Sequence, residues 1–166
     1  MMCPTNADSG AIVPLDQIDR RMLEILQKDG RISNAALAER LHLSPSPCLR
    51  RMRALEREGV ISGYRAVLDR ATLGLGLTVF VELGVVTHSD RNSKENSDAL
   101  DAVPEVVSAY VVSGSADFLL EVVVPDLPAY ERLMFETLLK LPHVGDVRSN
   151  FALRTVKRPG PLPLPL

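Results

Sequence analysis

Apolar residues recur at helical spacing through the first third of the chain, which predicts three short helices. The first begins after Asp16, whose carboxylate suits the N-cap position. The second covers Ile32–Leu41, with Ser33 or Asn34 as its cap, and the third lies within the stretch Leu43–Gly59. Three helices of this length predict one small bundle.

The third helix combines a buried stripe with a basic surface. Ser44 is expected to cap it through its hydroxyl, and Pro45 stands at the first helical position, where its missing N–H costs nothing. Cys48, Met52 and Leu55 follow one another at intervals of four and three residues and form the apolar stripe. Four arginines lie largely off that stripe: Arg50, Arg51, Arg53 and Arg57.

Only His42, Leu43 and Ser44 separate the second and third helices. Two helices joined by such a short turn are typical of a helix-turn-helix, whose second helix enters the DNA major groove. The alternatives are an ordinary helix with a solvated basic face and, for Arg51, a role in bracing the bundle. The candidate DNA-binding residues are Ser44, Ser46, Pro47, Arg50, Arg51 and Arg53.

The second part of the chain has a β–α–β–β–α–β rhythm. Residues 60–68 are rich in β-branched and aromatic residues and indicate a short wing or connecting strand, and the glycines of residues 69–76 indicate a linker. The order of these elements in residues 77–158 predicts a ferredoxin-like sandwich, which follows the helix-turn-helix domain of residues 15–68 along the chain. The fold class is therefore α+β. The predicted strands are 77–86, 106–113, 118–124 and 144–156, and the predicted helices are 94–102 and 126–141.

A four-stranded sheet with helices on one face leaves its other face open. Val79, Val81, Val107 and Leu119 supply apolar side chains to one face or the other, according to strand parity. An open apolar face is most simply covered by a second copy of the chain, so we expect a homodimer or a larger homo-oligomer formed by this domain.

Composition and charge agree with a two-domain globular chain. Of the 166 residues 46% are hydrophobic, and the net charge is −2. Residues 15–65 hold ten basic and seven acidic side chains, whereas residues 66–166 hold nine and thirteen. A basic head on an acidic body favours a DNA-binding head.

The chain ends and the two cysteines suggest a cytoplasmic protein. Residues 1–14 are expected to be disordered and resemble no signal peptide, and no apolar run approaches a membrane span. Cys48 falls on a buried stripe, so a disulfide with Cys3 is not expected. Residues 159–166, PGPLPLPL, suit neither helix nor sheet and are expected to form an extended, disordered tail.

Residues 15–69, LDQIDRRMLEILQKDGRISNAALAERLHLSPSPCLRRMRALEREGVISGYRAVLD, resemble the N-terminal domain of the leucine-responsive regulator (Lrp/AsnC) family. Residues 110–153 resemble the effector-sensing domain of the same family. His42 departs from the glycine that many members have in the turn, a substitution that costs energy if the turn needs a positive φ. The resemblance implies a DNA-binding regulator of amino-acid metabolism genes that responds to a free amino acid.

The resemblance also implies an effector site at the turn after the second strand of the sheet. The family has Gly-Asp-Phe/Tyr-Asp there, and Gly114 and Asp117 match its first and last positions, whereas Ser115 and Ala116 depart from it. A carboxylate suits an ammonium group, and a glycine lets a ligand approach backbone amides. Alternatively, Asp117 only caps the turn. The candidate effector-binding residues are Ser113, Gly114, Asp117 and Ser149.

An enzyme is disfavoured, and no metal or cofactor is expected. The three histidines, His42, His88 and His143, are scattered and do not stand at metal-ligand spacing. A small-molecule-binding module without DNA binding, an enzyme built on the ferredoxin-like domain and an effector-insensitive architectural DNA-binding protein remain alternatives. The first two leave the arginine-rich helix unexplained.

Overall fold

The computed structural model describes residues 13–86 and 90–164, and the side chains of residues 90–93 are outside the description. These residues form two compact units. The first joins the residues up to Val67 with those from Lys157 onward, and the second is Leu68–Val156. Disorder was expected for residues 1–14. Apart from residues 13 and 14, these lie outside the described ranges.

In its described residues the first unit contains three helices: α1 (Gln17–Leu26), α2 (Asn34–Arg40) and α3 (Pro45–Arg57). The expected caps are confirmed at Asp16, which forms a capping box with Asp19, and at Ser33, which accepts from the Ala36 N–H. The core is aliphatic and includes the predicted cysteine: Met22, Leu23, Leu26, Leu37, Ala38, Leu41, Cys48 and Leu55.

The turn between α2 and α3 contains one residue in the left-handed region. His42 has φ 53°, a conformation that a side chain with a Cβ adopts at a cost. The Asn34 side-chain amide donates to the Pro45 carbonyl at 2.9 Å and ties the start of α2 to the start of α3. The turn is therefore held by local hydrogen bonding in spite of the backbone strain at His42.

The strand expected at residues 60–68 is absent: residues 62–69 have no regular structure. Val67 and Leu68 are 90% and 65% exposed. A β-rich segment forms a strand only where another strand offers its backbone groups, and none lies alongside this one in the described chain.

The second unit is the expected antiparallel sheet with helices on one face. Its strands are β1 (Leu77–Val85), β2 (Val106–Val111), β3 (Phe118–Val124) and β4 (Val144–Phe151), in the order β2-β3-β1-β4. Helix α4 is Asp90–Asp101 and helix α5 is Leu127–Glu136. β2 and β4 end earlier than predicted, and α4 begins earlier.

Strand parity decides which residues the helices cover. Val79 and Val81 are fully buried in the core, so they do not belong to the open face. The open face carries Phe80, which is 41% exposed, and the paired residues Tyr110 and Leu119. Charged and polar side chains share this face: Thr78, Glu82, Glu121, Arg148 and Asn150.

α5 is shorter than the helix expected at 126–141. The backbone leaves helical geometry at Thr137, with φ −125°, and a 3₁₀ turn (Leu138–Lys140) follows. Tyr130, Leu133, Leu138 and Leu141 are buried in the core, whereas Leu127 at the first turn is 57% exposed.

The proline-rich end forms neither helix nor strand, and as far as Leu164 it is held by contacts within the first unit. Gln27 holds Leu162 through two hydrogen bonds, and Leu164 packs against the core of the first unit. Within the described residues, none of the helices has the length and apolarity needed to cross a bilayer.

Candidate functional site

The outer surface of α3 presents arginines to solvent. Arg50 and Arg53 are exposed, whereas Cys48 and Leu55 on the opposite side of the helix are buried. Guanidinium groups on an exposed helix surface can donate both to phosphates and to guanine edges. This surface is therefore suited to nucleic acid.

Arg51 is half-buried and pairs with two acidic side chains at the start of α1. Its Nη1 donates to Asp16 Oδ2 at 2.6 Å and to Asp19 Oδ1 at 2.8 Å, and its side chain is 32% exposed. The Asp19 backbone N–H and the Arg51 guanidinium together lower the pKa of Asp16. Arg51 thus ties α3 to the first turn of α1.

The N-terminal tip of α3 carries the two candidate serines. Ser44 stands at the N-cap, but its side chain makes no capping hydrogen bond, contrary to expectation. Ser44 and Ser46 are exposed, and Pro47 is half-buried within the first turn. Pro47 stands at the third helical position and has no N–H, so one of the two amides that an N-cap side chain normally satisfies is absent.

A shallow cavity of about 300 Å³, open to solvent, lies at one end of the sheet in the second unit. That volume is at the small end of the range for ligand pockets. The end of β1, the start of β4 and the turn between β2 and β3 meet there. Its lining consists of Gly84, Val85, Val86, Gly114, Ser115, Asp117, Gly145 and Asp146.

Asp117 fixes the turn to β1. Its Oδ2 accepts from the Val85 N–H at 2.7 Å, and its own N–H donates to the Leu83 carbonyl at 2.9 Å. The register of the β1–β4 pair shifts between Gly84 and Val85, so the carboxylate binds β1 at an irregularity of the ladder. Asp117 is both a structural clamp and a charged group of the cavity.

Gly114 lies in the turn with φ 120°, a conformation that disfavours any other residue. Ser113 is exposed in the same turn but does not line the cavity. Ser149 lies on the helix-covered face and hydrogen-bonds to the Tyr130 hydroxyl, whose pKa is raised mainly by burial. The structure therefore brings Gly114 and Asp117 together and places Ser149 elsewhere.

Sequence reasoning missed the contribution of β1 and β4 to the cavity. A Cβ on Gly145 would come within 2.5 Å of Val86 Cγ2, so this glycine allows the two chain segments to approach. Asp146, next to it, adds a second carboxylate to the lining. The available signal was a glycine inside each strand pattern, at 84 and 145, which indicates a bulge or a close approach.

The two histidines that the structure describes lie in different units. His42 lies in the α2–α3 turn, His143 contacts Glu95 at 3.8 Å, and His88 falls outside the described residues. Within the described ranges, no three histidine, cysteine, aspartate or glutamate side chains are arranged to hold a metal ion.

Two protein-family models match the chain. Residues 15–62 match a winged helix-turn-helix DNA-binding family, and residues 78–162 match the Lrp/AsnC ligand binding domain. The two matches cover the α-helical unit and the unit that contains the cavity.

Individual proteins agree with the family matches. The leucine-responsive regulatory protein of Escherichia coli K12 is 45% identical over 144 residues, which are 87% of this chain and 88% of the relative. A transcriptional regulator from Neisseria meningitidis, solved in complex with L-Met, superposes with a TM-score of 0.85 at 35% identity, covering 90% of this chain and 97% of the other. An AsnC family regulator from Agrobacterium tumefaciens has the same TM-score and coverage at 39% identity.

Proposed function

The chain belongs to the Lrp/AsnC family of DNA-binding transcriptional regulators, and from this premise we propose that a free amino acid, held beside Asp117, modulates its binding to DNA. α3 is the helix that reads DNA in this proposal, and the regulated genes serve amino-acid metabolism. Because the partner is chromosomal DNA, we place the protein in the cytoplasm.

The chemistry of the cavity carries the proposal. An amino acid has an ammonium, which suits a carboxylate, and a carboxylate, which suits backbone N–H groups. Asp117 and Asp146 supply the first, and the turn at Gly114 exposes backbone without side-chain obstruction. The Neisseria relative was solved with an amino acid, L-Met, which supports this ligand class.

The second unit supplies the surface for self-association. Phe80, Tyr110 and Leu119 lie together on the open sheet face, between acidic and basic side chains. We infer a homodimer or larger assembly through this face, which places two α3 helices for two half-sites about one DNA turn, or a multiple of it, apart.

The test of the effector site is Asp117→Asn. The asparagine oxygen can still accept from the Val85 N–H, so the clamp on β1 persists while the charge is lost. A hydrogen bond to a charged group contributes about 1.5–3 kcal/mol, so affinity for the amino acid should fall by about tenfold or more. The measurement is calorimetry with each natural amino acid, and Asp101→Asn on the exposed end of α4 is the control for charge.

Two results would contradict the proposal. If the wild type binds none of the amino acids at millimolar concentration, the cavity is not an effector site and the protein regulates without an effector. If Asp117→Asn binds as tightly as the wild type, the ammonium is held elsewhere.

A further inference from the structure

The last described residues of the chain belong to the DNA-binding unit, although the chain reaches them from the other unit. The main chain leaves the first unit after Val67 and returns to it at Lys157. Residues 157–164 form neither helix nor strand. In this stretch and beyond, proline occupies every second position from 159 to 165.

The side-chain amide of Gln27 forms two hydrogen bonds with the backbone of this tail. The Gln27 Nε2–H donates to the Leu162 carbonyl at 3.2 Å, and Gln27 Oε1 accepts from the Leu162 N–H at 2.5 Å. Proline has no N–H, so Leu162 is one of the few tail residues that can complete such a pair. Binding both backbone groups of one residue sets the register of the tail, as a neighbouring strand would.

The two leucines in the described part of the tail have different roles. Leu164 is partly buried and packs against the apolar core of the three-helix bundle. The Leu162 side chain is 74% exposed, so Leu162 contributes through its backbone. The attachment therefore consists of one apolar anchor and one bidentate hydrogen bond, on an extended segment whose prolines leave it little conformational entropy to lose.

We propose that this docked tail is a second tether of the DNA-binding unit, and that the tether raises the affinity of the assembled protein for DNA with two half-sites. A unit attached by one flexible segment samples many orientations, and that freedom is lost when two units bind two half-sites together. A second attachment removes part of this freedom in advance and raises the effective concentration of the second unit. The inference rests on the proposed dimer.

The experiment compares two DNA duplexes selected in vitro, one with two half-sites and one with a single half-site. The variants are a chain ending at Gly160, Leu164→Ala and Gln27→Ala, all in the full two-domain protein. Each should bind the two-site duplex at least about threefold more weakly than the wild type, with unchanged affinity for the single half-site. Leu162→Ala, with its exposed side chain, and Gln17→Ala, at the other end of α1, should behave as wild type.

Equal loss on both duplexes would show that the tail only keeps the bundle folded and would overturn the tether. Wild-type affinity of the shortened chain for the two-site duplex would overturn it as well, as would an effect of Leu162→Ala equal to that of Leu164→Ala. Failure of the proposed dimer gives a different result: the wild type is a monomer by light scattering and gains nothing from the second half-site.

Discussion

Two neighbouring arginines of α3 have different surroundings. Arg50 is exposed, whereas Arg51 is paired with Asp16 and Asp19 at the start of α1. From the sequence, both arginines were predicted to face DNA, because helical periodicity shows which residues lie off the apolar stripe. Periodicity does not show which acidic groups of another helix lie close to them. We therefore expect truncation of Arg50 to weaken DNA binding and truncation of Arg51 to lower stability.

Arg50→Ala should weaken operator binding by about 1–3 kcal/mol, the contribution of a bidentate arginine–guanine contact, and leave the melting temperature unchanged. Arg51→Ala should instead lower the free energy of unfolding by about 1 kcal/mol, because two partly exposed ion pairs are lost. The folded-state pKa of Asp16 is lowered, so this stabilisation is present above about pH 4 and lost as pH falls through the lowered pKa. Anisotropy titrations measure the DNA affinity of each variant, and thermal melts measure its stability. Unchanged DNA affinity of Arg50→Ala would show that this residue is not part of the DNA interface.

His42 offers a second test at the scale of one residue. Its φ of 53° is unfavourable for any residue with a Cβ. His42→Gly should raise the free energy of unfolding by about 0.5 kcal/mol, after the greater unfolded-state freedom of glycine is subtracted. His42→Ala retains the Cβ and should be neutral in urea denaturation, so a gain in the alanine variant as large as that in glycine would refute backbone strain as the cause.

Most elements were predictable because their signals are local. Capping residues, apolar periodicity and turn glycines lie within a few positions of the helix or strand that they define, and they predicted the five α-helices and four strands of the described residues. The errors arose where the conformation of a segment depends on residues far away in the sequence. Residues 60–68 have no strand to pair with, and the tail after Arg158 is bound by Gln27, which lies 135 positions before Leu162.

The cavity shows the same division between local and distant information. The resemblance to the family supplied Gly114 and Asp117, which lie close together in the chain. Gly145 and Asp146 reach the cavity because β4 pairs with β1, and this pairing is not visible in the sequence around them. Ser149, on the same strand, faces α5 because side chains alternate between the two faces.

The open sheet face makes a prediction at the scale of one element. Phe80 lies on the central strand β1, and its neighbours on this face include Leu119 on β3. Phe80→Glu adds a charge that a covering copy would have to desolvate, so the assembly should shift toward monomer at micromolar concentration. Phe135→Glu, on the exposed surface of α5, is the matched control. Light scattering that shows a monomeric wild type would contradict assembly through this face.

At the scale of the whole molecule, the two units carry different functional surfaces. The first carries the arginines of α3, and the second carries the cavity and the open sheet face. A ligand in the second unit can change DNA affinity only if it binds more tightly to one assembly or arrangement than to another. The coupling must then be reciprocal, so that DNA also changes the affinity for the amino acid.

The most direct test is the affinity of the wild type for an operator duplex, measured by fluorescence anisotropy at fixed salt with and without the amino acid that calorimetry identifies. We predict a change of about 5- to 150-fold, the usual range of allosteric coupling, and no change in Asp117→Asn at the same concentration of amino acid. Identical wild-type affinities with every natural amino acid at millimolar concentration would contradict an effector-modulated regulator.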